Sequence, residues 1–226
     1  MKTFECFRGL AVLMLICAGA FFVSCGEKPL DSDEDADFKA VQPSGYTDLS
    51  TLSTANCYIL NRSGSYCIAA VRGNDSEAWL TKAESAEILW ETFGTSTVPK
   101  DGDLIKSVSY KDGYIAFQTA DTFKEGNAVI AAKDVEGNIL WSWHIWMTDQ
   151  PQEHVYNNNA GTMMDRNLGA VSAVPGDVGA IGLLYQWGRK DPFLNAESMD
   201  KQAESTISWP FAVPAYPWNG TIEYSV

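Results

Sequence analysis

The chain has 226 residues, of which 46% are hydrophobic, so it is long enough for one large or two small globular domains. Its 29 acidic residues outnumber 16 basic ones, and the net charge of −13 argues against nucleic acid as a partner. With two histidines, no cysteine pair at zinc spacing and no phosphate-binding glycine motif, the sequence predicts neither a metal site nor a cofactor.

The first element is an uncharged stretch, residues 9–26, that follows the basic residues Lys2 and Arg8. A basic start, an apolar run and a small residue before a cysteine are typical of an export signal. The tetrapeptide Phe-Val-Ser-Cys that ends at Cys25 resembles a bacterial lipobox, which implies cleavage of a signal peptide, residues 1–24, and acylation of the Cys25 thiol. The alternative is an uncut anchor, because 18 uncharged residues reach the minimum length of a spanning helix.

Residues 25–45 are predicted to form a disordered acidic tether. Residues 31–37 read Asp-Ser-Asp-Glu-Asp-Ala-Asp, which is too charged and too poor in large apolar side chains to fold. Loss of residues 1–24 would leave 14 basic against 28 acidic residues. In Bacteroidetes lipoproteins an acidic stretch of this kind resembles the signal for display on the outer face of the outer membrane.

Residues 46–149 are predicted to form a β-sandwich domain built from hairpins. Residues 57–60 and 66–71 are rich in β-forming side chains, and the turn-like Asn-Arg-Ser-Gly at 61–64 predicts that they pair. Cys57 and Cys67 would then face each other, and an exported protein can keep a disulfide there if the register permits it. Two thiols buried separately are the open alternative.

Two further hairpins follow in the same region. An Asp-Gly turn joins residues 104–110 to 114–119, and a five-residue loop joins 128–133 to 139–148. Short strands at this spacing are typical of a β-sandwich. Residues 81–93 stay ambiguous, because their Ala, Glu and Leu content favours helix while Ile-Leu-Trp within them suits a strand.

The strand predicted at 139–148 has one wholly apolar face, on which Trp141 and Trp143 are predicted to be core residues. The opposite face is mixed and carries His144 and Trp146. That face is predicted to meet solvent or a neighbouring domain, so Trp146 is the better candidate for a contact role.

Beyond a polar break at Asp149, the sequence pattern changes to one that is typical of long irregular connections. Residues 164–170 read Met-Asp-Arg-Asn-Leu-Gly-Ala, and residues 182–193 read Gly-Leu-Leu-Tyr-Gln-Trp-Gly-Arg-Lys-Asp-Pro-Phe. Both closely resemble motifs of Bacteroidetes surface lipoproteins, namely fimbrillin-like pilus components and carriers of the major paralogous domain (FISUMP). The upstream pieces 55–59, 126–130 and 141–146 are similar to the segment that precedes that domain.

The resemblance implies a mainly β fold: an Ig-like or fimbrillin-like β-sandwich followed by a partial, loop-rich segment of C-type-lectin-like α+β type. Family members are expected to continue past the position where this sequence stops. Residues 150–226 are therefore expected to be an incomplete lectin-like domain.

The first interpretation of the polar residues within these motifs is that they have a structural role. Asp165, Arg166 and Asn167 offer a carboxylate, a planar donor fork and an amide that can pin irregular loops. Arg189 with Asp191 repeats the pairing. The same groups and nearby aromatic residues suit a polar ligand such as a sugar. The candidate ligand or interface residues are His144, Trp146, Tyr185, Trp187, Arg189 and Asp191.

The resemblance implies a lipid-anchored, non-catalytic surface protein, an adhesin or pilus-associated component whose partners are pilus subunits or host glycans. The alternative is a glycan-binding accessory lipoprotein of a polysaccharide-uptake system for dietary glycans, in which exposed aromatic residues stack on sugars. An enzyme of the formylglycine-generating type is disfavoured, because that chemistry uses cysteines in the C-terminal part and none follows Cys67.

Overall fold

A computed structural model of the chain describes residues 38–185 and 190–194. From Lys39 onward the described residues belong to one compact unit. They are mainly β structure with one turn of 3₁₀ helix at Val178–Ala180, so the predicted β class is confirmed. The strands are β1 (Thr47–Asp48), β2 (Cys57–Leu60), β3 (Ser65–Ala69), β4 (Ser85–Thr92), β5 (Ile105–Lys111), β6 (Tyr114–Thr119), β7 (Gly126–Lys133), β8 (Ile139–Met147), β9 (Glu153–Val155) and β10 (Thr162–Met164).

Eight of these strands form two four-stranded sheets. The first sheet has the order β1-β3-β6-β5 and the second the order β2-β8-β7-β4. Neighbours are antiparallel except that β1 runs parallel to β3 and β2 runs parallel to β8. Strands β9 and β10 make a separate antiparallel pair.

The two sheets share one hydrophobic core, which we call the inner core. The first sheet contributes Ile68 and Phe117, and the second contributes Ile130, Trp143 and Ile145, all at most 1% exposed. Trp143 is therefore a core residue, as predicted from the alternation of its strand. Each large apolar side chain buried in this way stabilises the fold by about 1.5–3 kcal/mol.

The second and third predicted hairpins are confirmed. At the β5–β6 turn, Asp112 and Gly113 have φ angles of 50° and 85°, the left-handed geometry that a tight turn between antiparallel strands requires. At the β7–β8 loop, the carboxylate of Asp134 accepts hydrogen bonds from the backbone of Glu136 and Asn138. Both turns are therefore specified by residues within the turn itself.

The first predicted hairpin is wrong. Strand β2 pairs with β8, whereas β3 pairs with β1 and β6 in the other sheet, so residues 61–64 cross between sheets. Leu60 and Tyr66 enter the inner core from opposite sides. A local turn signal specifies a change of chain direction but not the hydrogen-bonding partner, and here burial of both strands against a common core decides the pairing.

Without that hairpin the two cysteines no longer face each other. Cys57 lies opposite His144 of β8, and Cys67 lies opposite Ala116 of β6 with no exposed surface. Both are free thiols in the structure, which corresponds to the alternative of two separately placed cysteines.

The ambiguous residues 81–93 contain strand β4 and no helix. The strand pairs with β7, with a bulge between Ile88 and Trp90. It buries Leu89 and Trp90. Burial of these two side chains stabilises the strand by more than the intrinsic preference for helix could offset, because helix propensities differ by less than about 1 kcal/mol per residue.

The last part of the predicted tether, residues 38–45, lies within the described range. It has no regular secondary structure, and the backbone N–H of Val41 donates to the carbonyl of Asp112 at 2.8 Å. The rest of the predicted tether and the predicted signal peptide lie outside the described residues.

Candidate functional site

The second sheet is buried on both faces. Its outer face, directed away from the inner core, carries Val129 and Ala131 of β7, which have no exposed surface. Leu183 and Leu194, both beyond the polar break at Asp149, pack against them. The described part of the C-terminal segment therefore covers this face of the sheet, and the sheet in turn supplies its hydrophobic anchor.

A buried ion pair lies at the same interface. Lys190 Nζ donates to Asp191 Oδ1 at 2.5 Å, to Ser142 O at 2.6 Å and to Ser142 Oγ at 2.8 Å. Ser142 Oγ donates to Asp191 Oδ2 at 2.5 Å, and Lys190 Nζ is 4.9 Å from the ring centroid of Trp141. Both charged side chains are only 2% exposed. All three ammonium protons have acceptors, which a buried charge requires.

Next to the ion pair, three side chains form a chain of hydrogen bonds. Asn127 Nδ2 donates to the carbonyl of Gly169 at 2.9 Å, so its Oδ1 faces His144 Nε2, also at 2.9 Å. An amide oxygen can only accept, and the proton of the neutral imidazole therefore resides on Nε2. His144 Nδ1 is left as the acceptor for the Cys57 thiol, with Sγ at 3.3 Å.

Burial keeps both members of the Cys57–His144 pair neutral. It lowers the pKa of His144 from 6.5 to about 4, a shift that nearby Asp191 opposes and Lys190 reinforces. It raises the pKa of the Cys57 thiol from 9.0 to about 12. At neutral pH the pair is a thiol beside an imidazole, not a thiolate beside an imidazolium.

Trp146 belongs to this network and is 1% exposed. Its indole Nε1 donates to the carbonyl of Ala170 at 3.0 Å, and its ring stacks on His144 with 6.5 Å between centroids. Of the two environments predicted for Trp146, it meets the C-terminal segment and not solvent. Gly169 and Ala170 end the first family-like motif, so that motif supplies two backbone acceptors to the outer face.

Arg166 pins the start of the C-terminal segment. Its side chain is 4% exposed, and its Nε and Nη2 donate to the carboxylate of Asp165 at 2.8 and 3.1 Å. Its Nη1 donates to Asp149 and, at 3.0 Å, to Thr148 Oγ1. These bonds lower the pKa of both carboxyl groups. The predicted role of Arg166 as a loop-pinning residue agrees with this geometry.

Comparisons of the chain with protein-family models, curated proteins and solved structures gave no match. The geometry of the outer face is therefore the basis for the function proposed below.

The predicted site residues have different positions. His144, Trp146 and Asp191 are buried in the polar network of the outer face, whereas Tyr185 is 46% exposed. Trp187, Arg189 and the predicted lipidation site Cys25 lie outside the described residues.

Sequence reasoning missed Asn127, Ser142 and Lys190. The available signal was the mixed face of β8, where Ser142 alternates with His144 and Trp146 in an otherwise apolar strand. The sequence pattern of a strand face that carries both polar residues and a large aromatic residue does not show whether that face is buried or exposed. Its burial depends on the C-terminal segment, in which Ala170 lies 24 positions after Trp146 and Asp191 lies 49 positions after Ser142.

Residues 38–185 and 190–194 include no group of three or more His, Cys, Asp or Glu side chains able to hold a metal ion. Within the same residues, no helix has the length and apolar character needed to cross a bilayer.

We expect His144 to make the fold sensitive to acid. Its pKa is about 4 when folded and near 6.5 when unfolded, so the unfolded state binds more protons between these values. Stability is lost as the pH falls from 6.5 towards 4, by about 3 kcal/mol in full. Buried Glu91, whose pKa is raised to about 7 by burial, has the opposite effect, because its contribution is lost as the pH rises from 4.5.

His144 and Glu91 change the stability over overlapping pH ranges. The contribution of His144 is therefore measured as the difference in stability between wild type and a variant that lacks it. Urea unfolding of wild type and His144→Gln at pH 7 and pH 4.5 should show the stability of wild type relative to the variant falling by about 2–3 kcal/mol. The matched control is His154→Gln, since His154 is exposed. Identical pH dependence of wild type and His144→Gln would contradict the assignment.

Proposed function

We propose that the chain is a lipid-anchored, non-catalytic surface protein, attached to the outer membrane through Cys25 and facing the cell exterior. Its role is adhesive or pilus-associated, with pilus subunits or host glycans as partners. The lipobox-like tetrapeptide, the acidic residues 31–37 and the two family-like motifs support this proposal. In finer terms, we propose that the two sheets form a fimbrillin-like β-sandwich and that residues 150–226 are lectin-like.

The observation that carries the non-catalytic role is that charged side chains able to take part in catalysis are hydrogen-bonded to other groups inside the fold. Arg166 makes four hydrogen bonds to carboxylates and a hydroxyl, and the three ammonium protons of Lys190 are bonded to Ser142 and Asp191. These groups attach the C-terminal segment to the sheet. A rigid connection of this kind suits a protein that bears mechanical load between a membrane anchor and an external partner.

We expect a clickable fatty-acid analogue, fed to expressing cells, to label the wild-type chain through Cys25. Cys25→Ala should abolish the label, because the thioether-linked diacylglycerol has no other attachment point. Cys17, which lies within the predicted signal peptide, gives the matched control Cys17→Ala, which should keep the label. Protease added to intact cells should remove the protein domain from labelled cells. Unlabelled wild type, or label that persists in Cys25→Ala, would refute the anchor.

One observation favours the glycan-binding alternative. Tyr185 is 46% exposed beside Leu184, which is 51% exposed, and tyrosine rings stack on sugar faces. If glycans bind there, Tyr185→Ala should abolish retention on insoluble polysaccharide. The exposed Tyr156, on the chain after β9, offers the control variant Tyr156→Ala. Equal retention of both variants would leave the adhesive role as the better supported one.

A further inference from the structure

The C-terminal segment exposes many apolar side chains. Among the described residues, ten large hydrophobic side chains of residues 150–185 are exposed, against three of residues 38–149. Leu168, Ile181 and Leu184 are 42%, 44% and 51% exposed. Single exposed hydrophobic residues are ordinary on a protein surface, but a concentration of them in one segment indicates a contact surface.

These three side chains belong to chain segments that lie against each other. The Leu183 N–H donates to the Leu168 carbonyl at 2.9 Å, and Asn167 Nδ2 donates to the Ile181 carbonyl at 3.2 Å. Leu183 packs against the second sheet and is 6% exposed, so Leu184, the next residue and a member of a β-bridge, points away from the sheet. We call Leu168, Ile181 and Leu184 the distal surface.

One stretch of the sequence has the composition to cover such a surface. Residues 205–222 carry no charge, in a chain that is 20% charged, and they include Trp209, Phe211, Tyr216 and Trp218. Aromatic side chains bury about 150–250 Å² each, so this stretch gains much by leaving water. Its three prolines fix φ at their positions, which lowers the entropy lost when the stretch docks.

The chain brings this stretch close to the distal surface. Phe193 and Leu184 exchange backbone hydrogen bonds at 2.7 and 3.0 Å, and Leu194 is 4% exposed against the second sheet. Residues 195–208 then separate Leu194 from Trp209, and they span at most about 50 Å when fully extended. A short connection of this kind gives an effective concentration of about 1 mM, at which even a weak contact is populated.

We propose that residues 207–218 dock on the distal surface of their own chain, with their aromatic side chains against Leu168, Ile181 and Leu184. The contact removes apolar area of both partners from water. A second copy is the less favourable occupant, because a net charge of −13 makes two chains repel each other, whereas the docking stretch is itself uncharged. The inference goes beyond the proposed function and depends neither on the lipid anchor nor on the adhesive role.

The test is photo-cross-linking of the full chain in expressing cells, with p-benzoylphenylalanine in place of Phe211. Trypsin leaves position 211 in residues 202–226 and the whole distal surface in residues 167–189. We expect ultraviolet light to join these two peptides within one chain, so that the cross-linked product has the size of a monomer.

Leu184→Glu should lower the yield of this cross-link at least about fivefold, because its carboxylate would lose water on docking. Ile181→Glu should have the same effect, and it replaces Leu184→Glu if that variant does not fold by circular dichroism. The matched control is Val135→Glu, which should leave the yield unchanged. Val135 lies in the β7–β8 loop and is 86% exposed.

Four results would overturn the inference: no cross-linked product, a product of dimer size or larger in place of the monomer product, a cross-link from residues 202–226 to a peptide other than 167–189, or an equal yield in wild type and folded Leu184→Glu. A dimer-sized product would assign the distal surface to a second copy, and a product of any other larger size would assign it to another protein.

Discussion

Asp191→Asn is expected to lower the free energy of unfolding by about 3–5 kcal/mol, because it removes a buried carboxylate that is bonded to the ammonium of Lys190. Both side chains are 2% exposed, so water cannot replace the lost partner. Burial already lowers the pKa of Lys190, and the carboxylate of Asp191 offsets part of that shift. Without the carboxylate, the buried ammonium loses this compensating charge, which favours release of its proton.

The stability loss in Asp191→Asn should depend on pH. When the folded pKa of a lysine lies below its unfolded value, stability rises with pH between the two values, so raising the pH from 7 to 10 should recover part of the loss in Asp191→Asn. The matched control is Asp121→Asn, which breaks the exposed pair between Lys106 and Asp121 and should cost no more than about 1 kcal/mol. Urea unfolding measures both. Equal losses for the two variants would show that the buried pair contributes no more than a surface pair.

Gly169→Ala is expected to lower the free energy of unfolding by about 2–5 kcal/mol, through left-handed strain and overpacking together. The φ angle of Gly169 is +78°, and an added Cβ would lie 2.6 Å from Leu183 Cγ and 3.2 Å from Asn127 Oδ1. Relief of either clash would move Leu183 off the outer face or weaken the bond between Asn127 and the Gly169 carbonyl. The substitution therefore affects the apolar contact and the polar network at once.

Gly176→Ala separates strain from packing. Gly176 also has a left-handed φ, +87°, but an added Cβ would meet nothing within 4 Å. Backbone strain alone should cost about 1–2 kcal/mol there. Denaturant unfolding should therefore rank the losses as Gly169→Ala above Gly176→Ala. If the two variants are equally stable, close packing at Gly169 is not a significant constraint.

These variants test one structural idea, namely that the C-terminal segment is held by the outer face of the second sheet. Leu183 and Leu194 supply apolar contact there, and the Lys190–Asp191 pair and the carbonyl of Gly169 supply polar contact. The two family-like motifs thus provide most of the described attachment. The described residues of these motifs therefore have a structural role in the fold.

Local chemistry made parts of the fold predictable. The Asp-Gly pair at residues 112–113 predicted the β5–β6 turn, because few other dipeptides adopt two positive φ angles at low cost. The alternation of β8 predicted Trp143 as a core residue. The same alternation could not show that Ser142 and Trp146 on the opposite face are also buried. That depends on which distant segment covers the face.

The sequence by itself determined the acidic character, the export-type N-terminal pattern, the β class and the turns whose geometry resides in their own residues. Only the tertiary structure decided that β2 joins β8, that Cys57 meets His144 and that Lys190 is buried against Ser142. These partners are 87 and 48 positions apart in the last two cases. Turn geometry is a property of adjacent residues, whereas burial and pKa depend on groups brought together by packing, which no local pattern specifies.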